Sequence, residues 1–101
     1  MNTPLTETTY YILLSLITPL HGYGIINNVK ELSNGRVNLA AGTLYGALET
    51  LKKKGYIELF KESSLRKKKE YTLTEAGHKA LAEDFKRLKE LVAVSQEILG
   101  G

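Results

Sequence analysis

Apolar positions fall into four stretches with helical spacing and one pair of alternating stretches. Residues 6–18 carry Tyr10, Tyr11, Ile12, Leu13, Leu14, Leu16 and Ile17, which wrap nearly the whole helical cylinder and predict a helix buried on both sides. Thr3-Pro4 or Thr6-Glu7 supplies its start, and Pro19 ends it by pushing the preceding residue out of the helical region. A second helix is predicted over 22–32, entered by the turn His21-Gly22-Tyr23-Gly24 and anchored by Tyr23, Ile26, Val29 and Leu32. The turn signal Ser33-Asn34-Gly35 follows, then an extended link over 36–39 with pairing at a sheet edge open to it. A third helix is expected over about 40–54. There Leu44, Ala47, Leu48 and Leu51 form the apolar stripe, while Tyr45, Gly46, Glu49, Thr50 and Lys53 face outward. Gly55 stops this helix as a C-terminal cap, and Lys52, Lys53 and Lys54 complement its negative end.

From residue 56 the period changes to two. Residues 56–61 place Ile57 and Leu59 on one face, and residues 68–73 do the same with Tyr71 and Leu73. A hairpin is therefore predicted, with a polar, mostly basic tip over 62–67. Thr74-Glu75-Ala76-Gly77 opens a last helix that runs to about residue 99, with Thr74 as its cap. Leu81, Phe85, Leu88, Val92, Ser95 and Leu99 step by four and three as in a coiled-coil seam, with Ser95 the weak position; Leu91, Val94 and Ile98 form a second strip beside it. Together with the first helix, this is more apolar surface than one 101-residue chain covers. A homodimer would cover it, through Tyr10, Leu13, Leu14 and Ile17 on the first helix and Leu81, Phe85, Leu88, Val92 and Leu99 on the last.

Composition mainly excludes. The hydrophobic fraction of 43% and charged fraction of 25% are those of an ordinary folded domain, and a chain of this length buries roughly two thirds of its unfolded surface. There is no cysteine, which removes disulfides and thiolate metal sites and fits a reducing cytoplasm. His21 and His78 stand far apart and outside any ligand-like cluster, so neither a zinc site nor a cofactor is expected. The longest apolar run, over 10–17, is too short to span a bilayer and is not framed as a signal peptide. No nucleophile, base and oxyanion constellation and no phosphate loop is present, so an enzyme is not expected.

Charge changes the picture more. The net charge of +3 is unevenly placed: residues 1–51 carry two positive and three negative side chains, residues 52–69 eight and two, and residues 70–101 four and six. A basic block between mildly acidic flanks faces a polyanion; simple solvation would account only for residues 67–69. The outward face of the third helix points the same way. Gly42 and Gly46 weaken a helix by about 1 kcal/mol each relative to alanine and add nothing to the core, so close approach of a phosphate-lined groove is the reason to keep them. Tyr45 lies to the side of the apolar stripe, where it either touches phosphate or fills space between the third helix and the hairpin. His21 reads as a turn residue bonding backbone at a helix entrance, and Gly77 as a packing residue.

Three motifs follow one another in register: His21-Gly22-Tyr23-Gly24-Ile25; Gly42-Thr43-Leu44-Tyr45 continuing to Leu48, Leu51, Gly55, Tyr56 and Ile57; and Arg66-Lys67-Lys68 followed by Tyr71-Thr72-Leu73-Thr74-Glu75-Ala76-Gly77. Over nearly its whole length the chain resembles the PadR-like family of transcriptional regulators, and its ending at Gly100-Gly101 resembles the short-tailed branch. The fold class expected is mainly α with a small two- or three-stranded antiparallel sheet: a winged helix-turn-helix over 1–73 with a long dimerisation helix over 74–101, in one compact unit. The resemblance implies a dimeric cytoplasmic repressor on a pseudo-palindromic operator in double-stranded DNA, its third helix in the major groove and its basic wing, 61–69, on the backbone. Carried over by position, Thr43 and Tyr45 are phosphate or groove contacts, and Arg66, Lys67 and Lys68 are wing contacts. Gly42, Gly46, Glu49, Thr50 and Lys53 join them from the outward face. The last helix is expected to pack on the partner's first helix, and a small aromatic effector is expected near that interface. Tyr10, Tyr11 and Phe85 would line such a space, core packing being the other fate of these rings.

There are departures from the family pattern. Ala40 and Ala41 stand where many relatives have serine and proline, and Gly46 where proline is frequent. The missing serine cap loosens the helix start by about 1 kcal/mol unless Asn38 substitutes. Base reading then falls to Thr43, Glu49, Thr50 and DNA shape. The competing reading is a winged module that binds a ligand or a protein without sequence-specific DNA binding.

Overall fold

The first helix, α1 (Glu7–Ser15), starts at Thr6, whose hydroxyl accepts the Thr9 N–H at 3.1 Å. These positions come from a computed structural model that describes residues 4–63 and 68–100. The helix stops at Ser15, short of the expected residue 18, because its end is used by the sheet. The Leu16 carbonyl accepts the Leu73 N–H at 3.1 Å and the Thr72 hydroxyl at 3.4 Å. The chain then enters a strand, β1 (Leu20–His21), which pairs antiparallel with a later strand, Leu20 opposite Tyr71 and His21 opposite Glu70. The third strand of the sheet is thus this dipeptide behind Pro19, and not the link over 36–39. In that link Val37 and Leu39 pack against the core instead, and the Val37 N–H is taken by the Ser33 hydroxyl at 2.9 Å.

Helix α2 (Gly22–Leu32) has the expected bounds but a different phase. Gly22, Ile25 and Val29 are buried, whereas Tyr23 is 69% exposed and Leu32 is exposed. Tyr23 and Leu32 therefore are not anchors; the anchoring line runs through a glycine, which carries no apolar signal. Asn28 on this helix donates to the Ser15 hydroxyl at 2.9 Å, and Ser15 in turn donates to the Tyr11 carbonyl at 2.9 Å. This satisfied polar link ties α1 to α2 within the core.

Helix α3 (Ala41–Lys53) buries Leu44, Leu48 and Leu51 as expected. It ends at Gly55, whose φ of 79° closes the turn, with the Tyr56 N–H returning to the Leu51 carbonyl at 3.0 Å. Strands β2 (Ile57–Ser63) and β3 (Lys68–Leu73) complete a sheet of order β1-β3-β2, leaving β2 on the outside. The register slips between Leu59 and Lys61, so Phe60 is an extra, exposed residue of a bulge. Ile57, Tyr71 and Leu73 are buried, while Leu59 is partly open to solvent. Helix α4 (Glu75–Leu99), 25 residues long, begins at Thr74, whose hydroxyl accepts the Gly77 N–H at 3.1 Å. Gly77 meets the chain leading into β2 so closely that a Cβ there would lie 2.0 Å from the Tyr56 carbonyl oxygen, which only glycine allows.

The core joins Ile12, Leu13 and Leu16 of the first segment to Ile25, Val29, Leu44, Leu48, Ile57, Leu73 and Leu81. Leu13 and Leu81, expected on a dimer surface, are therefore spent inside the protomer, Leu13 from α1 and Leu81 from α4, both as members of this core. Nor is α1 buried on both sides by its own chain: Tyr10, Tyr11 and Leu14 are half-buried and Ile17 is exposed.

Candidate nucleic-acid interface

The start of α3 is uncapped by any side chain: Ala40 occupies the cap position, and the Asn38 amide donates to the Gly35 carbonyl at 2.8 Å instead. The expected substitution of Asn38 for a serine cap is therefore not made. With Leu44, Leu48 and Leu51 inward, helical phase puts Gly42, Gly46, Glu49 and Lys53 at the centre of the outward face, Thr43 and Thr50 on one flank, and Tyr45 and Lys52 on the other. All of these outward residues are exposed. A Cβ added at Gly42 or Gly46 would meet nothing within 4 Å. The face is open, and its centre is bare of side chains over the first two turns.

Tyr45 is 53% exposed, and its far end sits against α2: a Cβ at Gly22 would lie 2.8 Å from its hydroxyl oxygen. Gly22 is buried beneath this ring, so the first turn of α2 and the Tyr45 hydroxyl form one patch beside α3. The sequence motifs contain both residues, but their contact spans 23 positions and leaves no periodic signal; the glycine pair at the α2 entrance is the clue that was available. His21 precedes that turn and makes no side-chain capping bond, so its expected backbone bond at the entrance is absent. The Thr50 hydroxyl donates to the Gly46 carbonyl at 3.2 Å. Glu49 and Lys52 make a loose exposed ion pair at 4.0 Å.

The wing contributes charge next to this face. Lys61 and Lys69 are exposed on β2 and β3. Lys68 begins β3, while Arg66 and Lys67 lie outside the described residues.

Apolar side chains also stay open along α4 and just after α1. Ile17, Phe85, Leu91, Val92, Val94, Ile98 and Leu99 are exposed, Leu99 by 81%. Two open grooves flank Tyr10. One of about 430 Å³ includes Tyr11, Leu14 and Leu88 in its walls, and one of about 520 Å³ includes Leu14, Leu81 and Phe85. Lys89 stands over the Phe85 ring at 5.5 Å, a cation–π contact. Asp84, buried, holds Arg87 at 2.8 and 3.2 Å. Hydrogen bonds from Arg87 first, and from the Leu5 backbone, keep the Asp84 carboxyl below the usual carboxylate range despite its burial. Burial, and secondly the Asp84 charge, push the Tyr10 phenol up. Among the described residues no group of three His, Cys, Asp or Glu side chains could hold a metal ion, and no helix is long and apolar enough to cross a membrane.

Three helices, a two-stranded wing and a long final helix, with an open third-helix face beside basic strands, form a winged helix-turn-helix. Residues 12–83 match the family profile described as Transcriptional regulator PadR-like family. The chain belongs to this family. Its members are regulators of transcription rather than enzymes. Among solved structures, a PadR family transcription regulator from Clostridium difficile R20291 shares 26% identity, with a TM-score of 0.78 over 93% of this chain and 99% of that one. A transcriptional regulator from Clostridium thermocellum has the same fold at 24% identity and a TM-score of 0.77, covering 89% of this chain and 87% of its own. So does a PadR-like transcriptional regulator from Bacillus cereus, at 23% identity, a TM-score of 0.74, and 93% and 91% coverage. No protein of curated function matches the sequence.

Proposed function

We propose that this PadR-like protein is a cytoplasmic, homodimeric transcriptional repressor that places α3 of each protomer in the major groove of a pseudo-palindromic operator. The observation that carries this is the outward face of α3, open at Gly42 and Gly46 and edged by exposed threonine, tyrosine and lysine side chains. A helix with such a face approaches a groove floor more closely than one with side chains at those positions. Thr43 on one flank of α3, and the Tyr45 hydroxyl with the first turn of α2 on the other, would meet phosphates, as would Lys53 at the end of the helix and Lys61 and Lys69 with the rest of the wing. Residues 1–73 would carry DNA and residues 74–101 would pair the protomers, with Phe85, Leu88, Val92 and Leu99 of α4 packing on the first segment at Tyr10, Leu14 and Ile17. A two-fold pair of α3 helices sets half-sites about one helical turn, roughly 34 Å, apart or a multiple of it.

The grooves beside Tyr10, which Tyr11 and Phe85 help to line, favour a second element: a small aromatic effector that seats there, shifts α4 against α1 and releases the operator. The test of the main reading is a titration of DNA from the gene's own upstream region at two salt concentrations. Specific binding should exceed binding to scrambled DNA by at least about a thousandfold. It should weaken steeply with salt as lysines release counterions from phosphate. Equal affinity for scrambled DNA sinks the reading in favour of a winged module without sequence-specific binding. That module also predicts no change in activity on Tyr45→Ala with Lys67→Ala, where the repressor loses DNA and keeps its dimer.

A further inference from the structure

We infer that Glu49 is the side chain through which α3 reads a base, and that it selects a C·G pair by accepting a hydrogen bond from cytosine N4. The inference rests on the DNA-binding reading above and deepens it. Of the four residues at the centre of the outward face, Gly42 and Gly46 have no side chain, and Lys53 stands in the last turn with Lys52, where a cation suits phosphate. That leaves Glu49. Of the flanking side chains, Tyr45 is set against Gly22, the Thr50 hydroxyl donates to the Gly46 carbonyl at 3.2 Å, and Thr43, in the first turn and to the side, is placed for phosphate. Glu49 itself is open: its side chain is 66% exposed, and its contact with Lys52, at 4.0 Å, is too long for a hydrogen bond.

A carboxylate only accepts hydrogen bonds, and between phosphates it is repelled unless it meets a donor. The major groove offers two, adenine N6 and cytosine N4. The adenine donor stands beside N7, an acceptor on the same base that repels a second acceptor and suits an amide side chain better. Cytosine has only C5–H on that side. The two glycines ahead of Glu49 let the helix come close enough for its side chain to be the first to reach the base edges. On unrelated sequence the same charge weakens binding, so Glu49 discriminates twice.

The experiment begins with fragments selected by the wild-type protein to define the operator. Each base pair of a half-site is then replaced in turn, and binding is measured for the wild type, Glu49→Ala and Glu49→Gln at one salt concentration, with thermal unfolding as the check on folding. The wild type should lose roughly tenfold to a hundredfold at one C·G pair per half-site. Glu49→Ala should lose the preference at that pair alone while binding unrelated DNA more tightly, and Glu49→Gln should move the preference there to A·T. Retention by Glu49→Ala of the wild-type preference at every position overturns the inference and leaves the DNA-binding reading standing. A wild-type protein that selects no sequence overturns both.

Discussion

Replacing Gly46 with alanine should make the protein more stable and a poorer DNA binder. The position lies in the interior of α3, and an added Cβ meets nothing within 4 Å. The helix therefore gains the usual glycine-to-alanine difference of about 1 kcal/mol without a clash. For a domain of this size that raises the melting temperature by about 4–8 °C, read at one fixed protein concentration because a dimer's stability depends on it. In the complex the same methyl stands at the centre of the face turned to the groove. If the backbone approaches to contact distance, forcing a methyl into that space costs about 1–3 kcal/mol, or roughly 5- to 150-fold in affinity. The assay is thermal unfolding beside titration of the operator at constant salt. A variant that melts higher and binds the operator as tightly as the wild type would refute the close approach.

Other perturbations probe other parts of the account. Gly77→Ala is the same exchange in the first turn of a helix, yet it should destabilise by about 2 kcal/mol, because the methyl meets the Tyr56 carbonyl at 2.0 Å and must push α4 off the chain leading into β2; a rise in melting temperature would contradict that packing. Asp84→Asn should cost about 2 kcal/mol at neutral pH by weakening the Arg87 and Leu5 hydrogen bonds. Because the folded carboxyl titrates below its unfolded value of about 3.9, the Asp84 contribution is complete above that pH and is lost as pH falls through the folded value. The wild-type and Asp84→Asn stability curves should therefore converge in acid, and a constant gap would contradict the assignment. Val92→Lys with Leu99→Lys adds charge to two exposed positions of α4 and should shift the sedimenting species from dimer to monomer without unfolding it.

Where the sequence pattern was strong, it set the element bounds. Leu44, Leu48 and Leu51 recur without competition, and α3 buries them; Thr74 with Gly77 marks the start of α4, and the structure begins it there. Weak or competing patterns failed. In α2 the Tyr23–Ile26 line and the Gly22–Ile25–Val29 line are equally periodic, and the choice between them depends on Tyr45 covering Gly22 from another helix. Strand β1 is two residues long, too short to alternate, and exists because β3 has an edge to offer. The early end of α1 likewise reflects demand from Leu73 on the Leu16 carbonyl, a partner 57 residues away. For the interface, the open face of α3 was legible because glycine in a helix interior is costly and calls for a reason. The patch made by Tyr45 and the α2 entrance was not, since it is tertiary. Leu13 and Leu81 show the same limit from the other side: apolar spacing names the residues to be covered, and only packing decides whether the protomer or its partner covers them.

The central claim, that α3 lies in the major groove with two-fold symmetry, can be tested by mapping where α3 touches DNA. The chain has no cysteine, so Thr43→Cys introduces a single thiol on the flank of α3 that can carry a DNA-cleaving iron chelate. The account predicts two symmetric clusters of cuts on the operator, about one helical turn apart or a multiple of it, and none from the same chelate on Glu97→Cys near the end of α4. Cuts scattered along the fragment, or equal cutting from the two positions, would contradict it.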